Sequence, residues 1–335
     1  MKTRFLLGLF VYALTIAIVL SAMGFWLLSK EYRRPGPLQQ EAFFEVERGS
    51  SLSGIAHKLQ SENIIFDARV FSLSAVILGQ QKNLKAGEYQ FLPRMSAGEI
   101  LYLLRSGKTF ERRFTIREGL TSHEIVNILK NLAELEGEIS KTPEEGSLLP
   151  ETYDYRRGEP RERMIGRMQQ AMTDTIDALW EGRADNLPFT TKEEAVTLAS
   201  IVEKETGMPE ERKRVAGVFV NRLREGIALQ TDPTVIYAIT KGVHENEGKG
   251  PLGRRLLAKD LEIDSPYNTY KYPGLPPGPI ANPGRASIEA VLHPEEHKFF
   301  YFVADGTGGH VFAETLGEHN ANVSKWRKIR REQKK

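Results

Sequence analysis

At 335 residues the chain is long enough for two modest domains, each with a core of its own. A formal charge of +2 provides no global field for nucleic acid or another acidic polymer. Cysteine is absent, which excludes disulfide frameworks, thiolate nucleophiles and zinc–thiolate sites, and suits a protein of the cell envelope.

Phe5 to Leu28 is uncharged and almost wholly apolar, with Lys2 and Arg4 before it and Lys30, Arg33 and Arg34 after it. As a helix this run reaches roughly 36 Å, enough to cross a hydrocarbon core of about 30 Å with some tilt. A cleaved signal peptide has a shorter apolar region, about 7 to 15 residues, so the run predicts an uncleaved anchor over residues 1–36. Trp26 suits an interfacial position. Basic residues flank both ends, so charge alone leaves the orientation open. The breaker cluster Arg34–Pro35–Gly36–Pro37 then takes the chain away from the membrane.

Residues 43–59, FFEVERGSSLSGIAHKL, read as a strand, a glycine turn and a helix with Leu52, Ile55, Ala56 and Leu59 as its apolar stripe. LKAGEYQF (84–91) predicts a closing strand, and SAGEILYLLRSG a short helix stopped at Gly107. FTIREGLTSHEIVNIL (114–129) echoes the first unit, with Gly119, Ile125 and Leu129 at the spacing of Gly49, Ile55 and Leu59. Any strand–turn–helix unit can show that spacing. VERGSSLSGIAHKL resembles the strand, turn and "IA" helix of a LysM module. That resemblance implies a LysM-like module over 37–112, serving either glycans that contain N-acetylglucosamine or a scaffold role.

From about residue 113 the pattern predicts a larger mixed domain reaching residue 335. MIGRMQQAMTDTIDALWEG (164–182) is helical by periodicity. TTKEEAVTLASIVEKETG follows, capped by Thr190 or Thr191. PEERKRVAGVFVNRLREG predicts a helix opened by proline, with acids in its first turn and a stop at Gly226. TDPTVIYAIT starts another. KYPGLPPGPIANPG (271–284) is a loop stiffened by proline, KFFYFVAD and HVFAET form a hairpin, and SKWRKIRREQKK is a solvated basic end. The fold class is therefore α+β, with an N-terminal transmembrane helix, a βα module and a mixed catalytic-sized domain.

For chemistry, His293 and His297 in HPEEH have the spacing of a helical metal pair, but Pro294 reads as a helix start and no metal site is expected. EGKGPLGRR (247–255) lacks the order of a phosphate loop. Carboxylates remain. On a helical wheel the apolar face of 195–202 centres on Ala195, Leu198 and Val202, and Glu203 and Glu205 fall on opposite shoulders, roughly 160° apart. At most one of them can serve a given cleft; periodicity does not choose between them and sets Glu205 slightly nearer the apolar centre. Asp232, followed by Pro233, carries the signature of a helix N-cap.

LASIVEKET, VAGVFVNRL, LQTDPTVIYAI, SPYNTYKYPGLPPGPIANPG and FAETLGEHN stand in the order and spacing of one family, as does EGSLLPETYDY at 145–155. In these blocks the chain resembles the YceG-like family of endolytic murein transglycosylases. The resemblance implies a single-pass protein of the cytoplasmic (inner) membrane with its catalytic part on the external side. Its substrate would be peptidoglycan glycan strands, cut with formation of 1,6-anhydro-MurNAc ends, and peptidoglycan synthases would be its neighbours. No nucleic acid, metal or organic cofactor is implied. The catalytic glutamate falls on Glu203, a side chain desolvated at the margin of an apolar face, as a proton donor requires. Gln230, Asp232, Asn268 and Tyr270 are candidate sugar contacts, with Tyr237 as a stacking surface. Two alternatives accompany this reading: a non-catalytic wall-binding scaffold, and a hydrolase pairing Glu203 with Asp232.

Overall fold

The structure is a computed structural model that describes residues 2–82, 84–243 and 252–332. The chain divides into two compact units, Met1–Arg112 and Arg113–Lys335.

The first unit begins with helix α1 (Lys2–Arg33), of which Leu6–Arg33 is long and apolar enough to cross a membrane. Strand β1 (Ala42–Val46) pairs antiparallel with β2 (Gly87–Phe91), placing Phe44 opposite Tyr89. Alternation turns Phe44, Val46, Tyr89 and Phe91 inward, where helices α2 (Leu52–Ser61), α3 (Ala68–Ile77) and α4 (Ala97–Ser106) cover them. The closing strand starts at Gly87, three residues later than its apolar pattern implies. Helix α3, which sequence periodicity does not announce, begins where the Asp67 carboxylate accepts the N–H groups of Arg69 and Val70.

In the second unit, β3 (Arg112–Thr115) pairs with β4 (Thr152–Tyr155), with α5 (Ser122–Lys130) between them in sequence. The echo noted above has a shared geometry. Gly49 and Gly119 both take positive φ, at 84° and 76°, and the caps Ser51 and Thr121 each accept the N–H three residues on. The unit continues through α6 (Arg161–Trp180), α7 (Lys192–Glu205), α8 (Arg212–Arg224), α9 (Asp232–Thr240) and α10 (Arg285–Leu292). It ends in the antiparallel hairpin β5 (Tyr301–Ala304) and β6 (His310–Ala313), then α11 (Leu316–Glu332).

Helix α7 is the axis of this unit, packed by α8, α9 and α10. Thr191 and Glu194 form a reciprocal capping box at its start. Every residue from Ala195 to Val202 is buried, so the helix is central and has no single apolar face.

Three local expectations change. Helix α8 begins at Arg212, after Pro209 and the acids, and its first turn carries no acid. His293 caps the end of α10, so Pro294 follows a helix and does not start one, while His297 packs its Nε2 against the Arg214 carbonyl at 2.9 Å. Asp232 is the first residue of α9, and Thr231 holds the cap position. Residues 247–251 of the glycine-rich EGKGPLGRR stretch lie outside the described residues.

Candidate active site

The last turn of α7 sends its two glutamates to different places. Glu203 is 6% exposed at its side chain, and its Oε2 accepts the N–H of Gly284 at 2.9 Å. Gly284 is the N-cap of α10, so the carboxylate sits on a positive helix end. Ser200, one turn earlier in α7, accepts the Ile280 N–H at 3.0 Å and holds the proline-rich segment that delivers Gly284. Glu205 instead takes a hydrogen bond from the Thr231 hydroxyl. Burial raises its carboxyl above the ordinary range, with nearby Asp232 adding to the effect and the Thr231 hydrogen bond opposing it.

Two partners of Glu203 come from segments that sequence reasoning did not connect. Arg212, at the start of α8, places Nη2 3.8 Å from Glu203 Oε1 and 3.7 Å from Glu118 Oε2. Both separations exceed a hydrogen bond, so Arg212 acts as a cation between two acids. Its Nε is buried without a hydrogen-bond partner among the described residues. Glu118, on the turn between β3 and α5, is 44% exposed and forms the outer member of the cluster. Burial and repulsion from Glu203 raise its carboxyl above the usual range, with Arg212 opposing.

The backbone is shaped around this cluster. Gly119 occupies the left-handed region at φ 76°, and its carbonyl accepts the Lys204 ammonium at 3.1 Å. A Cβ at Gly284 would overlap the Glu118 carboxylate. Gly284→Ala is therefore expected to leave the fold intact while displacing Glu118 from Arg212, because the obstructing atoms belong to a half-exposed side chain. Turnover should fall about tenfold or more, since small misplacements in a site carry such costs. Gly166→Ala, where a Cβ meets nothing within 4 Å, is the control; kinetics and melting curves on both variants check the outcome.

Asn282 is the joint that holds these segments. It is fully buried; its Oδ1 accepts the Leu148 N–H at 2.9 Å. Its Nδ2 lies 3.1 Å from the Leu120 carbonyl, 3.2 Å from Ser122 Oγ and 3.0 Å from Glu145 Oε1. Its backbone carbonyl takes the Gly119 N–H at 3.0 Å. The loop bearing Glu118 and the loop bearing Gly284 are thus tied to each other directly.

Glu145 beneath this joint is pushed up to about 7 by burial, against stabilising hydrogen bonds from Ser122 and Tyr237. The folded state therefore binds an extra proton between the ordinary value of 4.5 and about 7. Stability is highest below that window, falls as pH rises through it, and levels off above it. Glu145→Gln keeps an acceptor for Ser122 and Asn282 and should flatten that decline. Melting temperatures of both proteins across the window provide the check.

The remaining sequence candidates form a second group. Tyr270 donates its hydroxyl to Asp232 Oδ1 at 2.7 Å, and Gln230 donates its backbone N–H to the Thr269 carbonyl at 3.1 Å. Gln230 is exposed and held at φ 49°. Asn268 is fully buried, with its amide nitrogen on the carbonyls of Leu261 and Ile263 and its oxygen on the Tyr270 N–H. It shapes the turn that presents Tyr270. Tyr237 packs against Tyr267 with ring centroids 5.0 Å apart, and its hydroxyl is engaged by Glu145. Asp232 is thus committed to Tyr270, and the acid brought to Glu203 is Glu118. A signal for Glu118 existed in the internal echo, where the residue before the turn glycine is basic in one copy (Arg48) and acidic in the other.

An endolytic murein transglycosylase of Bacillus subtilis is 33% identical over 313 residues, covering 84% of this chain and 83% of the relative. One from Streptococcus pneumoniae is 30% identical over 331 residues, covering 83% of this chain and 57% of the longer relative. A crystal structure of a YceG-like protein from Listeria monocytogenes is 33% identical and superposes with a TM-score of 0.52, covering 84% of this chain and 99% of the other. The sequence profile of the YceG-like family matches residues 44–325, from within β1 through every segment that contacts Glu203. The chain belongs to the YceG-like family.

Proposed function

We propose that this chain is an endolytic murein transglycosylase anchored in the cytoplasmic membrane by α1, with its second unit on the external side. It cleaves MurNAc-β-1,4-GlcNAc bonds within glycan strands and acts as a terminase on nascent strands beside peptidoglycan synthases. The β1–α2–α3–β2 arrangement serves as a LysM-like unit. The observation that carries the reading is Glu203, buried on α7 between the Gly284 N–H and Arg212. The names of the relatives supply the substrate class.

One glutamate suffices for this reaction. Protonated Glu203 gives its proton to the leaving O4 as the C1–O4 bond breaks. The resulting carboxylate takes the proton of the sugar's own C6 hydroxyl, and that oxygen bonds to C1. Glu203 ends as it began and no water is consumed. Because the nucleophile is tethered to the reacting sugar, its effective concentration is already high. The Gly284 N–H and Arg212 suit the carboxylate that Glu203 becomes between the two proton transfers.

Glu118 favours one competing reading, a two-carboxylate hydrolase in which water attacks C1. Digestion of purified glycan strands by the full-length protein in detergent separates the readings by mass spectrometry. Anhydro ends support the transglycosylase; reducing ends, heavier by one water, support the hydrolase. Retention of uncut strands would make the chain a wall-binding scaffold.

A further inference from the structure

Helix α3 carries two apolar faces, and the core uses only one. Ala68, Phe71 and Ala75 are buried in the first unit. Leu73, Val76 and Ile77, at i, i+3 and i+4, stand 52%, 52% and 51% exposed, and Leu78 just beyond the helix is 49% exposed. Apart from Arg69, exposed in its first turn where a long side chain can reach toward water, α3 is apolar on both sides, and such a helix belongs inside a core or a membrane. Each of these half-exposed side chains forgoes part of the stabilisation that full burial would give.

The position of α3 along α1 says which environment covers that face. The two helices pack together, and Gly24, Phe25 and Leu28 of α1 share a groove with Val70, Leu73 and Ile77 of α3. Ser21 also lines it. Ser21 lies seven residues before Leu28, the end of the apolar run, which is about 10 Å along a helix axis. When Phe5–Leu28 crosses a core about 30 Å thick, that final stretch lies within one leaflet. A helix leaning on it is at acyl-chain depth. The groups nearby fit a headgroup boundary: Lys30 stands 5.6 Å over the Trp26 ring, and Arg34 4.1 Å over Phe66, which is 47% exposed.

We propose that α3 is an interfacial membrane helix whose Leu73–Val76–Ile77 face is sunk into the leaflet around the C-terminal end of α1. Lipid is the occupant because the face continues the exposed apolar surface of Phe25, Trp26 and Leu27 on α1. Any bilayer that holds α1 already reaches α3. The first unit is therefore seated in the membrane surface and does not swing on a stalk. This rests on α1 being a membrane span, and the test separates the two claims.

The chain contains no cysteine, so single reporters can be introduced cleanly. Val76→Cys, Val19→Cys and His57→Cys, each carrying an environment-sensitive NBD label, are placed as full-length protein in phosphatidylcholine nanodiscs. Val19 lies in the apolar run of α1, and His57 is exposed on α2. Labels at 76 and 19 should shift to the blue and lose most of their emission when doxyl-labelled lipid is included, whereas the label at 57 should do neither. Ile77→Cys repeats the measurement should a label at 76 disturb the helix. Quenching at 19 with water-like behaviour at 76 and 77 overturns the proposal. Shielding at 76 from aqueous iodide without doxyl quenching assigns the face to protein contact and overturns it too. Water-like behaviour at both 19 and 76 overturns the membrane reading and the proposal together.

Discussion

Glu203→Gln should abolish formation of anhydro ends while leaving the protein folded. The amide is nearly isosteric and keeps an oxygen for the Gly284 N–H, so the tie between α7 and α10 survives. It cannot donate an acidic proton or accept one back, and both steps of the proposed reaction need that. Loss of a general acid–base group typically costs about 10²–10⁴ in rate, and here one residue fills both roles. Stability should change little, because Arg212 retains Glu118 as a counter-charge at 3.7 Å. A shift of a few degrees in melting temperature corresponds to about 1 kcal/mol in a unit of this size. Muropeptide mass spectrometry beside a melting curve decides the matter. Full activity in the variant would remove Glu203 from the mechanism.

Asn282→Ala is expected to be the most damaging change that touches no substrate. It strands the buried N–H of Leu148 and removes the donor shared by Leu120, Ser122 and Glu145. The stranded Leu148 N–H costs about 1–3 kcal/mol, and each other lost hydrogen bond about 0.5–1.5 kcal/mol because Leu120, Ser122 and Glu145 keep other partners, so a total of about 3 kcal/mol is expected. In a unit of this size that lowers the melting temperature by about 6–12 °C. Activity should fall even well below the melting transition, because the Glu118 and Gly284 loops lose their joint. Differential scanning calorimetry with turnover measured at low temperature checks both parts. An unchanged melting temperature would mean that the two loops hold their places without Asn282.

Much of the architecture was legible because local signals agreed. A cap at Thr191, the Gly107 stop and the β5–β6 hairpin lie where pattern places them. Signals that depend on tertiary surroundings were not legible. Helix α3 has apolar residues on both sides and therefore lacks amphipathic periodicity. Asp232–Pro233 looked like a cap, yet the extended residue is Thr231, and the Asp232 carboxylate answers Tyr270 from 38 residues away. At the site, a helical wheel separated Glu203 from Glu205 correctly but could not choose between them. The choice depends on where Gly284 and Arg212 arrive, and both are set by packing around α7. Glu118 lies 85 positions before Glu203, with no periodicity to join them.

The ties made by Asn282 also order events in time. Its side chain meets partners 134 to 162 residues earlier in the chain, and the Glu203–Gly284 bond spans 81 residues. Contacts of such separation are closed late, after local helices and turns have formed. Gly284 is 251 residues beyond the end of α1, which at ribosomal speeds of about 5–20 residues per second means more than about ten seconds of synthesis after the anchor. Until then Glu203 has neither its helix-end donor nor a fixed Glu118 loop. On the function proposed above, a growing chain held only by α1 is thus inert, and the capacity to cut appears only with a nearly finished protein.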